Sequence, residues 1–361
     1  MRKIMNKDIF TRCEKVLQDA DGNNYSFILR PFAPGDEYGL MACVKDEYRD
    51  TYFKRDFYDT EKIRANAESD RYCYFVAEHE GEIAGMVIFA IFHDDEDDYI
   101  EPASNIIRRK YRDFGLAHAL AYYALPLAEK MEPCSLFVHA VTFHPVTQAL
   151  CEGYGMTPVG FRLGSFLASR MSNSYDSSRC TKYSEGVMIL PVRKKDAGTV
   201  YLPEEVAGYG RKIYERLGAD CNIVSAGPEG VPGLHVDMSE FPELVITADH
   251  MQRIVIIRVM KSGRRIADQM REQIAAISSE SDWTIQIALS ISSANIYYEY
   301  EELKKIGFFF SGLKPLCGAK EKLYMQWVGD LRLDMEKYML TESFDELRRD
   351  IEGFYSARRI S

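Results

Sequence analysis

Hydrophobic and polar residues in the first half of the chain follow the two spacings that distinguish strands from helices. Short apolar runs bounded by turn residues predict strands, and apolar residues three to four apart predict helices. The predicted strands cover residues 25–32, 71–78, 82–92, 99–107, 134–141, 161–166 and 186–192. The predicted helices cover residues 37–49, 60–69, 116–131 and 143–155. The order is therefore strand, two helices, a strand hairpin, strand, helix, strand, helix and two strands, which indicates a mixed α/β fold.

Several helices carry local signals of their own. Asp36 is predicted to cap the first helix, and Asp59 or the threonine after it is predicted to cap the second. Pro126 removes one hydrogen bond from the third helix, so we expect a kink or a restart there. Pro145 is predicted at the first position of the fourth helix, with Gly155 just past its end.

The second half of the chain follows a polar, glycine-ended segment at residues 193–198. This segment predicts a boundary between two domains, residues 1–195 and residues 196–361. The predicted helices of the second domain cover residues 203–217, 264–277, 297–306 and 343–355. Its predicted strands cover residues 222–225, 244–248, 253–259, 283–289, 308–312 and 323–327.

Composition limits the class of protein. Hydrophobic residues make up 46% of the 361 residues, which is enough for substantial cores, and no apolar run is long enough to span a bilayer. The N-terminus leads into charged sequence instead of an apolar signal core, so we expect a cytoplasmic protein with no membrane partner. The net charge of −10 argues against a nucleic-acid partner. The eight cysteines form no Cys-x-x-Cys pair, so we expect reduced packing thiols and no structural metal.

Residues 112–117 carry the clearest chemical signal in the chain. They lie between an apolar strand end and a helix, and they follow the pattern Arg-x-x-Gly-x-Ala. The start of a helix has free main-chain N–H groups and the positive end of the helix dipole, and Arg112 adds a guanidinium. Gly115 lets an anion approach the main chain, and Ala117 keeps the first helical turn narrow. The segment is therefore predicted to cradle a pyrophosphate.

At this motif, and in the order of its elements over residues 24–193, the chain resembles the GNAT superfamily of acyl-CoA-dependent N-acyltransferases. The resemblance implies a GNAT fold with a splayed central sheet, acetyl-CoA or another acyl-CoA as co-substrate, and direct attack by an amine. It also implies that a main-chain N–H of Ile106 or Ile107, on the fourth strand of that fold, faces the acyl carbonyl. The main-chain N–H groups implied to hold the pyrophosphate belong to Arg112, Asp113, Phe114, Gly115, Leu116 and Ala117.

The resemblance also suggests proton carriers. Cys151 occupies the position of the family's acidic tyrosine, four residues before the terminal glycine of the fourth helix, and Tyr154 lies next to that glycine. Either residue is a candidate acid, and the alternative role for Cys151 is packing. His144 stands where relatives have an asparagine that touches the pantetheine arm, so it would cap the helix, touch the cofactor or carry a proton. Gln148, one turn later, is predicted to pair with His144 and to contact the cofactor.

Glu101, on the fourth strand, is the candidate general base by the same resemblance. The alternatives are His139 on the next strand and a chain of solvent water. A lone histidine on a strand is more often a hydrogen-bonded core residue than a base.

Three segments have open interpretations. The aromatic and charged residues 48–58 either wall the acceptor site, as the resemblance implies, or cover the sheet. Five consecutive acids at residues 94–98 are interpreted as a solvated loop. The serine-rich residues 167–183 are interpreted as a long loop that is mobile or functional.

The second domain repeats the order of the later GNAT elements, but its turn at residues 261–265 lacks the Arg-x-x-Gly-x-Ala motif. We interpret it as a degenerate GNAT-like lobe without cofactor, serving as a scaffold, an acceptor selector or a dimer contact. The expected activity is transfer of an acetyl or acyl group to an amine of a small molecule or peptide, by a monomer or homodimer. The alternative is a noncatalytic acyl-CoA-binding regulator or scaffold.

Overall fold

The structure is a computed structural model that describes most of the chain in eight stretches. They are residues 10–93, 98–170, 181–193, 198–227, 229–231, 238–277, 282–315 and 321–358. Most of the acidic run, the serine-rich loop and the interdomain segment lie outside the described residues. The chain divides into two compact units. Unit 1 lies within Met1–Val138, Ser169–Arg179 and Leu190–Arg193, and unit 2 within His139–Ala168, Cys180–Ile189 and Lys194–Ser361.

Unit 1 is a mixed sheet with helices on both faces. Its strands are β1 (Cys13–Gln18), β2 (Asn24–Pro31), β3 (Tyr72–His79), β4 (Glu82–His93), β5 (Asp98–Ile107) and the start of β6 (Ser135–Val141). Its helices are α1 (Glu37–Tyr48), α2 (Thr60–Glu68) and α3 (Leu116–Glu129). The strands lie side by side in chain order, antiparallel from β1 to β5 and parallel between β5 and β6. The predicted elements of this region are confirmed, except that β1 was missed because it is short, polar and largely exposed.

The core of unit 1 lies on both faces of the sheet. Side chains of α1 and α2 pack against one face, and α3 packs against the other, where Tyr123 meets Phe75 with ring centroids 5.9 Å apart. Phe75 points away from its neighbours Tyr74 and Val76 because successive strand residues face opposite sides. The α1–α2 core comprises Leu40, Cys43, Val44, Tyr52, Phe57, Ile63, Tyr74, Val76, Ile83, Met86, Ile88 and Ile106.

The helix-end predictions had mixed outcomes. The carboxylate of Asp59 caps α2, because it accepts hydrogen bonds from the second and third N–H groups of the helix. Asp36 occupies the N-cap position of α1 as predicted, but its carboxylate makes no capping bond, since it pairs with Arg30 and accepts from the N–H of Ala33. Of the kink or restart predicted at Pro126, the restart is wrong, because α3 continues past it to Glu129, and the kink stays a prediction.

Unit 2 contains the remaining elements. Its helices are α4 (Val146–Gly153), α5 (Glu204–Arg216), α6 (Ile266–Ile277), α7 (Asn295–Lys304) and α8 (Glu342–Ser356). Its strands are β7 (Thr157–Leu167), β8 (Lys182–Pro191, ending in unit 1), β9 (Thr199–Pro203), β10 (Asn222–Ala226), β11 (Glu243–Asp249), β12 (Ile254–Lys261), β13 (Thr284–Ser290), β14 (Phe309–Lys314) and β15 (Lys322–Trp327). The strand order is β8-β7-β14-β15-β13-β12-β11, with β9 and β10 as a separate parallel pair.

The last five strands of unit 2 follow a regular pairing scheme. β11 and β12 are antiparallel, β12 and β13 are parallel, and β15 pairs antiparallel with both β13 and β14. An antiparallel pair followed by a parallel pair also occurs at β4, β5 and β6. The elements predicted for residues 196–361 are thus confirmed, with β9 missed. Their assignment to a second GNAT-like lobe, and the boundary at residue 195, stay predictions.

In the part of the chain that the structure describes, none of the helices combines the length and the apolar character that crossing a bilayer requires. Within the same residues, no group of three or more His, Cys, Asp and Glu side chains is arranged to hold a metal ion.

Candidate functional site

The pairing of β5 changes along its length. At its start, β5 pairs in parallel with β6, through Tyr99 with Ser135 and Ile100 with Leu136. β5 then continues beside β4 as far as Ile107. All residues of β5 are described, and its pairing with β6 covers only the first part of the strand. This short register agrees with the predicted splay of the two strands.

A bulge interrupts β5 in the part beyond its pairing with β6. Val87 pairs with Asn105 and Phe89 pairs with Pro102, so β5 has one more residue than β4 between these pairs. Ser104, inside the bulge, has a φ of 35°, a conformation that residues other than glycine rarely adopt. Its hydroxyl is hydrogen-bonded to the hydroxyl of Tyr52.

Main-chain N–H groups alternate in direction along β5, as in any antiparallel ladder. The N–H of Arg108 donates to the carbonyl of Ala84 at 2.9 Å, which fixes the phase of the alternation. Ile106 therefore directs its N–H toward β4, whereas Asn105 and Ile107 direct theirs away from β4. Ile106 and Ile107 are the two N–H donors predicted from the sequence, and the strand pairing favours Ile107, whose N–H is not used by β4. The same pairing identifies the N–H of Asn105 as a further donor that the sequence did not predict.

The turn after β5 is anchored by carboxylates. Asp46 on α1 accepts a hydrogen bond from the main-chain N–H of Arg109 at 2.6 Å. Glu82, at the start of β4, accepts hydrogen bonds from three side chains of the turn, and the bond from Lys110 contributes most to lowering the pKa of Glu82 to about 2. The three donors are Arg108, Lys110 and Tyr111. Most of the positive charge of the turn is thus paired within unit 1.

Arg112 has a different role from the one its charge suggested. Its guanidinium forms an ion pair with Glu47 of α1, and its Nε donates to the carbonyl of Ile107 at 3.1 Å. Its main-chain N–H donates to the carbonyl of Arg109 at 3.3 Å. Arg112 therefore ties the end of β5 to α1 instead of presenting its guanidinium to an anion.

The remaining residues of the turn expose their main chain. Asp113 has a φ of 66° and Gly115 a φ of 74°, while the ring of Phe114 stacks on Tyr25 with centroids 4.8 Å apart. A Cβ at Gly115 would meet no atom within 4 Å, so the space beside the glycine is open. The first hydrogen bond of α3 is donated by the N–H of Ala119 to the carbonyl of Gly115 at 3.0 Å.

The main-chain N–H groups of residues 113–118 donate no hydrogen bond to any residue that the structure describes. They form a continuous run at the positive end of α3. The side chain of Asn105 on β5 donates to the carbonyl of Ala117 at 3.0 Å, which joins the bulged strand to the first turn of the helix. The arrangement can hold a di-anion at the helix terminus and aim strand N–H groups at a second acceptor nearby.

Glu101 lies on the face of the sheet that α1 and α2 cover. It pairs with Ala90, which alternates along β4 with Met86 and Ile88 of the α1–α2 core. Directly paired residues share a face, so the side chain of Glu101 points to the same side as Tyr52 and its bond to the bulge.

The other predicted site residues belong to unit 2, on or near α4. The amide of Gln148 is fully buried and donates to the carbonyls of Val141, His144 and Met339. Its oxygen accepts from the N–H of Thr341 at 3.0 Å. The predicted pairing with His144 thus involves the main chain and not the imidazole, and these bonds give Gln148 a structural role.

The candidate acids of α4 differ in burial. Cys151 is 4% exposed, and burial raises the pKa of its thiol to about 12. Tyr154 is half-buried and follows the last residue of the helix. Burial lowers the pKa of His144. The residue at the cap position of α4 is Pro145, so the predicted cap by His144 is wrong. His139, half-buried on β6, also belongs to unit 2.

The turn between β12 and α6 occupies the corresponding place in unit 2, and its N–H groups are engaged. Arg264 donates to the carbonyl of Ser239 at 3.0 Å, and Arg265 donates to the carbonyl of Glu240 at 2.9 Å. A Cβ at Gly263 would collide with the main chain of residues 241–242. This helix start is closed by its own chain, whereas that of α3 is open.

Comparison with known proteins gives a family match for part of the chain. Residues 40–155 match the model of the Acetyltransferase (GNAT) family, which spans α1 to α4 and includes the turn. The resemblance inferred from the sequence is therefore confirmed for this region. No curated protein matches the chain.

Several solved structures resemble part of the chain. A ribosomal-protein-S18-alanine N-acetyltransferase from Escherichia coli has 16% identity and a TM-score of 0.37, over 46% of this chain and 94% of that one. An N-acetyltransferase from Staphylococcus aureus Mu50 has 13% identity and a TM-score of 0.37, over 46% of this chain and 99% of that one. A spermidine/spermine N-acetyltransferase from Vibrio cholerae has 16% identity and a TM-score of 0.36, over 46% of this chain and 95% of that one.

Proposed function

We propose that this chain is an acyl-CoA-dependent N-acyltransferase that transfers an acetyl or other acyl group to an amine by direct attack. The observation that carries the proposal is the run of main-chain N–H groups at residues 113–118, which have no partner among the described residues and lie at the start of α3 beside a bulged strand. The family match over residues 40–155 includes this run.

The proposed pyrophosphate site uses main chain more than side chains. Residues 113–117 offer N–H groups and the positive end of α3, and Gly115 leaves open space beside them. Arg109 is exposed, and its guanidinium has no carboxylate partner among the described residues, so its charge is available to a phosphate. Arg112 contributes by holding the turn to α1.

Acyl-CoA would supply an activated thioester carbonyl. The N–H groups of Asn105 and Ile107 point away from β4 and would stabilise negative charge as it develops on that carbonyl oxygen. Glu101, on the α1–α2 face, is the proposed base that accepts the proton of the amine. No residue of the chain needs to form a covalent bond with the acyl group.

Protonation of the departing thiolate is assigned to the region of α4. Tyr154 and Cys151 remain the candidates. Burial raises the pKa of the Cys151 thiol to about 12, which makes this thiol a poorer proton donor than an ordinary cysteine. We leave Gln148 out of the proposed site because its amide is committed to the main chain.

A noncatalytic acyl-CoA-binding protein is the second candidate. It is favoured by the burial of Cys151 at the position where the family has its acidic tyrosine. Release of free CoA thiol in the presence of a panel of small amines and peptides separates the two functions. Thiol release that depends on an amine supports the enzyme, and binding of acetyl-CoA without release supports the regulator.

The proposed pyrophosphate site at residues 113–117, called the cradle below, is tested with Gly115→Glu. This substitution places a bulky carboxylate among the open N–H groups. We expect loss of the rise in melting temperature that acetyl-CoA produces and loss of heat of binding in calorimetry. Gly218→Glu is the matched control, because Gly218 has a φ of 62° and equally open space among the described residues but lies just after α5. Unchanged acetyl-CoA affinity in Gly115→Glu would remove the proposed site.

A further inference from the structure

We infer that Tyr52 is a positioning residue whose hydroxyl holds the β5 bulge in the conformation that aims the main-chain N–H of Asn105 at the acyl carbonyl. The inference rests on the proposed function, since it concerns the thioester of a bound acyl-CoA. It assigns a role in acyl activation to a residue of the aromatic segment at 48–58, which the sequence associates only with the acceptor or with the core.

The bulge needs an external tether. Ser104 has a φ of 35°, which a serine adopts only when its surroundings hold it there. Its side chain makes a hydrogen bond with the hydroxyl of Tyr52, which lies 52 positions earlier in the sequence. The tether therefore comes from the tertiary fold and not from the strand itself.

Tyr52 is itself held rigidly. It is 2% exposed, and its ring lies 4.5 Å from that of Tyr48 and 5.0 Å from that of Phe53, measured between centroids. Its main-chain N–H donates to the hydroxyl of Tyr58 at 3.0 Å. The position of its hydroxyl is thus determined before any ligand binds.

Asn105 is restrained from both sides as a result. The residue before it is tethered to Tyr52, and its own side chain donates to the carbonyl of Ala117 in the first turn of α3. The N–H between these two restraints points away from β4. A donor that is fixed in direction before the reaction stabilises developing charge more than one that must reorient.

The experiment uses the full chain with acetyl-CoA labelled with ¹³C at the thioester carbonyl, and needs no acceptor. Isotope-edited infrared spectroscopy reports the stretching frequency of the bound carbonyl, which falls when a hydrogen bond polarises it. Calorimetry reports affinity, and release of CoA thiol without amine reports basal hydrolysis. The variants are Tyr52→Phe and Ser104→Ala, which remove the same hydrogen bond from its two ends.

We expect the carbonyl of wild-type-bound acetyl-CoA to absorb at lower frequency than free acetyl-CoA, and both variants to shift it back toward the free value. Basal hydrolysis should fall about 10- to 100-fold in each variant, with affinity for acetyl-CoA within about twofold of wild type. Each rate is measured at a temperature at which the melting curve shows the variant to be fully folded, so that a loss of rate is not a loss of stability. The double variant should be no worse than either single one.

Tyr74→Phe is the matched control. Tyr74 belongs to the same core cluster, and its buried hydroxyl has no hydrogen-bond partner among the described residues. If wild type binds acetyl-CoA but the carbonyl frequency is unchanged in Tyr52→Phe, or changes equally in Tyr74→Phe, the positioning role is overturned while the proposed function stands. If wild type binds no acetyl-CoA, the proposed function is overturned and this role with it.

Discussion

At the scale of single residues, burial changes the proton affinity of several side chains in unit 2. Lys182 is 4% exposed and donates to the carbonyl of Arg253 at 3.0 Å, and burial lowers its pKa to about 7. Glu299 is 1% exposed, and neither of its carboxylate oxygens has a hydrogen-bond partner among the described residues. Burial raises the pKa of Glu299 to about 7, although the positive charge of Lys322 opposes the shift. Both groups therefore change charge near neutral pH.

Glu299→Gln should change how stability depends on pH. The pKa of this acid is raised on folding from 4.5 to about 7, so the wild type should lose stability as pH rises from 4.5 to 7, by up to about 3 kcal/mol. The variant cannot ionise at this position and should not show that loss. Thermal unfolding of both proteins between pH 4.5 and 8.5 measures the difference.

The control for this substitution is Glu302→Gln on the same helix. Glu302 is paired with Lys305 and is partly exposed, so its removal should shift stability by a similar small amount at every pH. If the difference in stability between wild type and Glu299→Gln stays constant with pH, the assignment of a neutral buried carboxyl at Glu299 is contradicted.

At the scale of elements, the open turn depends on the hairpin beside it. Glu82 begins β4 directly after the turn at Glu80 and Gly81, which both have positive φ, and this tight hairpin places its carboxylate against the turn after β5. One carboxylate thereby holds several cations that would otherwise repel one another. The shape of the cradle is thus set by an element outside the Arg-x-x-Gly-x-Ala motif.

Glu82→Gln should loosen the turn without unfolding unit 1. We expect affinity for acetyl-CoA to fall about tenfold, since the charge-assisted bonds to Lys110 and Arg108 weaken. Because pairing lowers the pKa of Glu82 from 4.5 to about 2, its contribution to stability is present above pH 4.5 and is lost as pH falls toward 2. The stability difference between the two proteins should therefore vanish over that range. Calorimetric titration and acid unfolding measure these effects.

Glu80→Gln provides the comparison, because Glu80 is exposed in the same hairpin and forms no ion pair with the turn among the described residues. Equal acetyl-CoA affinities in the two variants would show that Glu82 does not shape the cradle.

A second contact between elements tolerates no side chain. β7 and β14 meet at Gly160 and Gly312, and a Cβ at Gly160 would lie 2.5 Å from the Cα of Gly312 and 2.6 Å from the carbonyl oxygen of Ser311. Gly160→Ala should destabilise the protein by about 1 to 3 kcal/mol, because the strands must move apart. Chemical denaturation measures this loss.

The same experiment includes Gly208→Ala, in the exposed interior of α5 with no atom near the added methyl group. That change should be neutral or stabilise by up to about 1 kcal/mol. Similar effects for the two alanines would mean that β7 and β14 are not in close contact.

At the scale of the whole molecule, the turns that precede α3 and α6 differ in whether their main-chain N–H groups are hydrogen-bonded. The N–H groups at the start of α3 have no partner among the residues that the structure describes, whereas those of Arg264 and Arg265 are satisfied by carbonyls of residues 239–240. An anion cannot displace main-chain partners that are fixed by the fold without losing their hydrogen bonds. This contrast agrees with our interpretation that the second half of the chain has no acyl-CoA site.

One acyl-CoA should therefore bind per chain. Titration calorimetry with acetyl-CoA should give a stoichiometry of one, and Gly115→Glu should abolish it. Arg264→Glu reverses a charge at the start of α6 and should leave affinity unchanged. Two sites per chain, or a loss of binding in Arg264→Glu, would show that the second turn also binds the nucleotide.

Much of this architecture was predictable from the sequence because periodicity and turn residues are local properties. The hairpin of β3 and β4 and the helices α1, α2 and α5 follow from apolar spacing and from Gly81 and Asp59. β1 was missed because most of its residues face solvent and leave no apolar alternation. The bulge at Ser104 has no sequence signature, since it depends on a register with β4 and a tether from Tyr52.

The sequence by itself determined the order of elements, the helix start at residues 116–117 and the glycine that keeps it open, because these depend on neighbours along the chain. The tertiary structure alone decided which charges remain available. Arg112 looks like an anion ligand in the sequence but is paired with Glu47, and Lys110 of the same turn is paired with Glu82. Ion pairs join residues far apart in the chain, and the direction of a strand N–H depends on the partner strand, so neither can be read from local pattern.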